Sequence, residues 1–116
     1  MKNPLISKCF NMKNFLIAAV VSVSSSLFAQ NVEFKKDNFK DKKDEFKQAM
    51  RDLEEGDKYY SLDPLYYEYA VEPYIRANKF NPNNALLNYK LGICLLSSAY
   101  KTKAAPYLEK AYALNP

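Results

Sequence analysis

Beyond residue 40, apolar side chains recur at three- and four-residue steps, the spacing of helices that each bury one stripe. From Asp41 to about Ser61, Phe46, Leu53 and Tyr60 follow Phe39 at seven-residue intervals, and Ala49, Met50 and Gly56 fill the same face. The opposite face carries both signs of charge, as in Asp41-Lys42-Lys43-Asp44-Glu45, and pairs such as Asp44 with Lys47 suit a solvated surface. This predicts a long amphipathic helix; a coiled coil shows the same seven-residue spacing, but three intervals are too few to require one. A second helical pattern carries Ala70, Tyr74 and Ala77, with Asp63 placed to cap it and Pro64 in its first turn. Pro73 inside this pattern either kinks the helix or means that its regular part starts later than Pro64. A third pattern carries Leu86, Leu87, Tyr89, Leu91, Gly92, Ile93, Cys94, Leu95 and Leu96, and a fourth Ala104, Ala105, Tyr107, Leu108, Ala111, Tyr112 and Leu114. From Asn31 to Asn38 the chain reads as an extended lead-in, with Val32, Phe34 and Phe39 as anchors.

The last two patterns lie between Asn81-Pro82 and Asn115-Pro116, whose prolines are 34 residues apart. A two-helix unit of that period resembles a tetratricopeptide repeat. Leu91 and Gly92 stand at its Leu-Gly pair, Ala104 and Ala111 at its two alanines, Leu108 at the large apolar position between them, and Pro116 at its closing proline. Small side chains at Gly92 and Ala104 let two antiparallel helices approach closely, and Ala111 leaves room for a further helix. Asn88 and Leu95 depart from the consensus, which favours an aromatic and a tyrosine there. Such a fold needs apolar volume more than identity. The first two patterns form a divergent unit of the same kind, with Gly56 at the glycine position. Gly56 to Pro82 is 26 residues against 24 for Gly92 to Pro116, which places two extra residues in the turn around Ser61-Leu62-Asp63-Pro64.

The expected fold is therefore all-α: two stacked antiparallel helical hairpins of tetratricopeptide-repeat type after an N-terminal signal peptide. The divisions are 1–29 signal peptide, 30–40 extended lead-in, 41–82 divergent repeat and 83–116 repeat. The leader rests on Lys13, the apolar run Phe15 to Val23 broken only by Ser22, and Leu27-Phe28-Ala29. That run is too short to span a bilayer and suits a signal core, with cleavage after Ala29. Met12 also reads as a complete start. Cys9 lies in the leader, and Ile6-Ser7-Lys8 before it lacks the small apolar pattern of a lipid-attachment site. Cys94 then stands alone and reads as a small core residue rather than a reactive thiol.

Charge changes the picture little. The formal net charge is +4, but Lys2, Lys8 and Lys13 belong to the leader; without them fourteen Lys and Arg face thirteen Asp and Glu. A net charge of +1 gives no basic surface for nucleic acid. The chain has no histidine, no glycine-rich phosphate loop and no metal-ligand set, so no enzyme activity, cofactor or metal site is expected. All ten tyrosines lie between Tyr59 and Tyr112. Most suit packing between helices, where a ring is buried and a hydroxyl reaches water. In the tetratricopeptide family the first helix of each repeat lines a concave groove. By that resemblance Tyr89, Ile93 and Leu96 fall on the groove, with Leu86 and Asn88 flanking it. A neighbouring unit could equally cover these side chains.

A wider resemblance takes in Asn38-Phe39, Asp44-Glu45-Phe46-Lys47, Glu55-Gly56-Asp57-Lys58-Tyr59-Tyr60, Asn81-Pro82-Asn83-Asn84-Ala85 and Asn88-Tyr89-Lys90-Leu91-Gly92. These stretches resemble the N-terminal part of Gram-negative envelope proteins in which repeats follow a signal peptide and precede a β-propeller and an OmpA-like peptidoglycan-binding domain. Some of those proteins belong to the type IX secretion and gliding machinery. The resemblance implies export to the periplasm or the periplasmic side of the outer membrane. It also implies a protein or peptide partner there, no mature transmembrane helix, and peptidoglycan contact only through a domain outside this chain. Two repeats make a thin core, so either further chain or a partner would complete it. The function expected is a non-catalytic protein-interaction scaffold, with a structural spacer for downstream envelope domains as the alternative.

Overall fold

The computed structural model describes residues 29–116, which form four α-helices and no strand. They are α1 Lys43–Tyr60, α2 Tyr67–Phe80, α3 Ala85–Leu96 and α4 Ala104–Leu114. The readings made on the leader, including the start at Met12, the apolar run and Cys9, lie outside the described residues.

Helices α1 and α2 pack as one antiparallel hairpin, α3 and α4 as a second, and α3 joins them by packing on α2. The core is continuous across both hairpins: Ala70, Val71, Tyr74 and Ala77 of α2 meet Leu87, Leu91, Cys94 and Leu95 of α3, and Ala104 of α4 closes it. On α1, Phe46, Ala49 and Gly56 are buried and Leu53 and Tyr60 pack against this core from the side. These are the residues of the predicted stripe. The helix packs within its own chain, so its seven-residue spacing needs no coiled-coil partner.

Local chemistry fixes the helix ends. Asn84 caps α3 by accepting the Leu87 N–H at 2.9 Å, and Asp63 accepts the Leu65 N–H at 2.9 Å. Pro64 starts a short 3-10 turn, Pro64–Tyr66, so regular α2 begins three residues later than that proline. Pro73 thus sits inside α2, buried, where it donates no backbone bond. The expected lead-in stays extended only to Lys35; Lys36–Phe39 then winds into a 3-10 turn. The reason is aromatic packing. The turn brings Phe39 over Phe80 of α2 at 4.7 Å and beside Phe46 of α1 at 5.6 Å between ring centroids.

The two hairpins repeat each other residue by residue. Gly56 and Gly92 occupy the same place on α1 and α3. A Cβ on either would overlap a side chain of the following helix, Tyr74 in the first hairpin and Leu108 in the second. Ala70 corresponds to Ala104 and Ala77 to Ala111, all buried. The first helices are related by a shift of 36 residues and the second by 34, the difference falling in the turn between hairpin arms. One expectation is corrected here: the close approach of Gly92 is to Leu108, one turn beyond Ala104. Leu108 is the larger side chain and leans into the space that the missing Cβ leaves.

Candidate functional site

Helix α3 is apolar almost all round, and its two apolar faces have different fates. Leu87, Leu91, Cys94 and Leu95 are buried against the first hairpin. Leu86, Tyr89 and Leu96 point away and are 60%, 49% and 46% exposed, with Ile93 half-buried among them. Tyr112 of α4, 72% exposed, extends the same surface. Leu86, Tyr89, Leu108, Ala111, Tyr112 and Asn115 line an open groove between the two helices. Ile93 and Leu96 continue along α3 beyond it. The four residues assigned to a recognition face therefore share one side of α3.

Asn88 does not flank this face. It is buried on the opposite side, where its amide donates to the carbonyls of Pro82 at 3.0 Å and Asn84 at 2.8 Å and accepts from Asn78 at 3.3 Å. An aromatic ring could not satisfy those three groups. Asn88 thus anchors a polar network that ties α3 to the turn before it.

A second concave surface lies between α1 and α3, where Leu53 and Asp57 face Leu87 and Lys90, with Phe34 of the lead-in at its edge. Asp57 is its electrostatic centre. One carboxylate oxygen accepts from the Tyr74 hydroxyl at 2.6 Å and from the Lys90 ammonium at 2.8 Å. The ammonium also lies over the Tyr60 ring, 5.4 Å from its centroid. Burial, then the bond to Asp57, holds the Tyr74 phenol above its ordinary range. Burial also pushes the Cys94 thiol up to about 12, so it stays protonated and inert at neutral pH.

The lead-in is bound to this surface through its backbone. The Val32 N–H donates to the Asn83 carbonyl at 2.7 Å. The Val32 carbonyl accepts from Asn81 at 2.9 Å and Asn84 at 3.0 Å, and the Asn31 side chain accepts the Ala85 N–H at 2.8 Å. Three asparagines of one turn, with Asn31 of the lead-in itself, thus clamp an extended segment. Sequence reasoning noted Asn81 and Pro82 as punctuation and missed the clamp. It also missed Asp52, which looks like one more charge on α1 but is buried and bonded to Arg76 at 2.9 Å. That bond is the main reason the Arg76 guanidinium is held above its ordinary range.

Among the described residues no cluster of three or more His, Cys, Asp or Glu is placed to hold a metal ion. No helix among them is long and apolar enough to cross a membrane. No protein-family description, no curated protein and no solved structure matches this chain.

Proposed function

We propose that this chain is a non-catalytic protein-interaction scaffold of the bacterial cell envelope, built from two tetratricopeptide-type repeats. In this reading it is the N-terminal part of an OmpA-like, peptidoglycan-associated protein. The observation that carries the interaction role is the exposed apolar face of α3 and α4. Leu86, Tyr89, Leu96 and Tyr112 form a contiguous surface of large apolar side chains, and such a surface marks a site of association. The envelope assignment rests on the leader and on the resemblances of sequence described above.

Two measurements test it together. Envelope fractions should yield the protein with an N-terminus at or near Gln30. A photo-crosslinking residue at position 89 should give one discrete adduct in those fractions, and the same residue at Glu54 on the outer face of α1 should give none. Cytosolic protein with an intact N-terminus removes the envelope assignment. Diffuse or absent crosslinking at position 89 leaves the spacer, which positions downstream domains and has no ligand of its own.

A further inference from the structure

The two hairpins repeat each other, so both of their tips lie along one edge of the molecule and the turn at 81–84 lies along the other. At the first tip Leu65 is 86% exposed and Leu62 58%. Neither enters the core. Both fall where the first hairpin is two residues longer than the second: Tyr60 to Ala70 is ten residues, against eight from the equivalent Leu96 to Ala104. Behind them stand Tyr59, Tyr66 and Tyr69, with ring centroids 5.7 Å apart for Tyr59 and Tyr69 and 6.2 Å for Tyr66 and Tyr69. The second tip carries exposed Tyr100 with Lys101 and Lys103, and no acidic residue between positions 97 and 105. Each tip holds a lysine ammonium over a tyrosine ring, Lys58 over Tyr59 at 5.7 Å and Lys103 over Tyr100 at 5.1 Å. The aromatic residues of this edge are thus all tyrosines. The described phenylalanines, Phe34, Phe39, Phe46 and Phe80, pack together at the opposite end.

We propose that this edge rests on a phospholipid bilayer, with Leu62 and Leu65 entering the acyl boundary and Lys101 and Lys103 on anionic headgroups. Three features choose that occupant. The leucines protrude, so a protein partner would need a socket for each, whereas a bilayer yields to any apolar protrusion. Tyrosine suits the layer just above them, where one end of the ring is dry and the hydroxyl is wet. The lysines complement lipid phosphates, and their stems lie along tyrosine rings while the ammonium stays in water. The acidic residues of this edge, Asp63 and Glu68, belong to the first tip, which leaves the second to meet the anionic headgroups. Further repeats do not cover the tips, because a repeat stacks only on the helical faces of its neighbours. One placed before α1 would meet its charged outer face, Arg51, Glu54, Glu55 and Lys58, all exposed. One placed after α4 would meet Leu86, Tyr89 and Tyr112. Either leaves Leu62 and Leu65 bare.

This inference adds a membrane contact to the scaffold reading and makes no use of the α3–α4 face. The protein has no tryptophan, so Leu65→Trp in the full chain places a single reporter at the first tip, and Lys79→Trp places one at the opposite end. Each is titrated with vesicles of phosphatidylcholine and phosphatidylglycerol. The emission from position 65 should move to shorter wavelength, saturate, and be quenched by lipid brominated on its acyl chains; that from position 79 should not move. With the reporter at 65, Leu62→Ser should weaken binding roughly fivefold. Lys101→Glu with Lys103→Glu should weaken it roughly tenfold. Circular-dichroism melts should be unchanged in both, since all three side chains are exposed. No shift at position 65, or affinity indifferent to these changes, overturns the proposal. An equal or larger response at position 79 does so too. The lead-in is clamped at that end, so adhesion through the leader is read there and not at 65. A shift at 65 that grows with protein concentration in the absence of vesicles places the tip against a second copy and likewise overturns it. The assay is independent of export: vesicle binding by a chain recovered from cytosol removes the envelope assignment alone, and an envelope protein that ignores vesicles removes this proposal alone.

Discussion

Lys90 of α3 reaches Asp57 of α1 at 2.8 Å, and among the described residues this is the one ion pair that joins the two hairpins. The ammonium is mostly covered and the carboxylate is about half exposed, so its electrostatic contribution alone is modest, about 1 kcal/mol or less. The Tyr74 hydroxyl raises the stakes, because its ring is fully buried and Asp57 is its hydrogen-bond acceptor. Asp57→Asn keeps an acceptor and should cost about 1 kcal/mol, whereas Asp57→Ala strands the hydroxyl and should cost about 2–3 kcal/mol. Adding Tyr74→Phe should recover part of the Asp57→Ala loss. Urea unfolding of the parent, Asp57→Ala, Tyr74→Phe and the double variant gives the coupling energy. Equal losses for the Asn and Ala variants would mean that Tyr74 draws nothing from this bond.

The two equivalent glycines should respond differently to the same change. Alanine in a helix is favoured over glycine by about 1 kcal/mol. Against that, the new methyl at position 56 meets the ring of a fully buried tyrosine, and at position 92 the side chain of a half-buried leucine. Overpacking costs about 1–3 kcal/mol where neighbours cannot yield. Gly56→Ala should therefore lower stability by about 1–2 kcal/mol and Gly92→Ala by less than about 0.5 kcal/mol, since Leu108 can turn toward solvent. Thermal melts decide it, and a larger loss at position 92 would show that Leu108 is held.

Much of this architecture was legible because helices advertise themselves by period. The stripe through Phe46, Ala49, Leu53 and Gly56 predicted α1, and the small residues Gly92 and Ala104 predicted that α3 and α4 come close, though not that Leu108 is the side chain Gly92 meets. What was not legible depends on contacts between residues far apart in sequence. Asp52 is indistinguishable from its charged neighbours until Arg76 is brought beside it from α2. Asn88 looks like a weak spot in an apolar helix until the Pro82 and Asn84 carbonyls are seen to need donors. The Val32 clamp spans about fifty residues of sequence, and amide-to-backbone bonds leave no periodic trace. Whether the outer face of α3 is groove or stacking surface was also beyond local pattern.

Alkaline pH should weaken the fold through buried neutral groups. The Cys94 thiol has an ordinary value of 9.0 and is raised by burial to about 12; the Tyr74 phenol is raised above 10.0. Above pH 9 the unfolded chain releases a thiol proton that the folded chain keeps, so stability is intact below pH 9 and falls as pH rises toward 12. Tyr74 adds to the decline above pH 10. Urea midpoints at stepped pH should show this slope, and Cys94→Ala should flatten its first part. In the same samples a thiol reagent at pH 8 should label Cys94 only as fast as the protein opens. Rapid labelling of the native state would contradict its burial.

The asparagine clamp should be separable from the helices. Asn81→Ala removes a donor to the Val32 carbonyl and an acceptor for the Asn83 N–H. The Val32 amide, bonded to Asn83, should then exchange with solvent at least tenfold faster. Amides in the middle of α3 should change far less. Equal acceleration in both places would make the lead-in part of the global unfolding unit rather than a locally opening strap.

The difference between the outer faces of α1 and α3 gives the pair of hairpins a head and a tail. Proteins whose two ends complement each other can join head to tail without closing and so grow into filaments. Here the head presents Arg51, Glu54, Glu55 and Lys58, and the tail presents Leu86, Tyr89 and Leu96. Joining them would strip water from four charged side chains against leucine and tyrosine, which works against the apolar contact. The charged face of α1 is thus a stop on polymerisation. It keeps copies of this chain from threading onto one another.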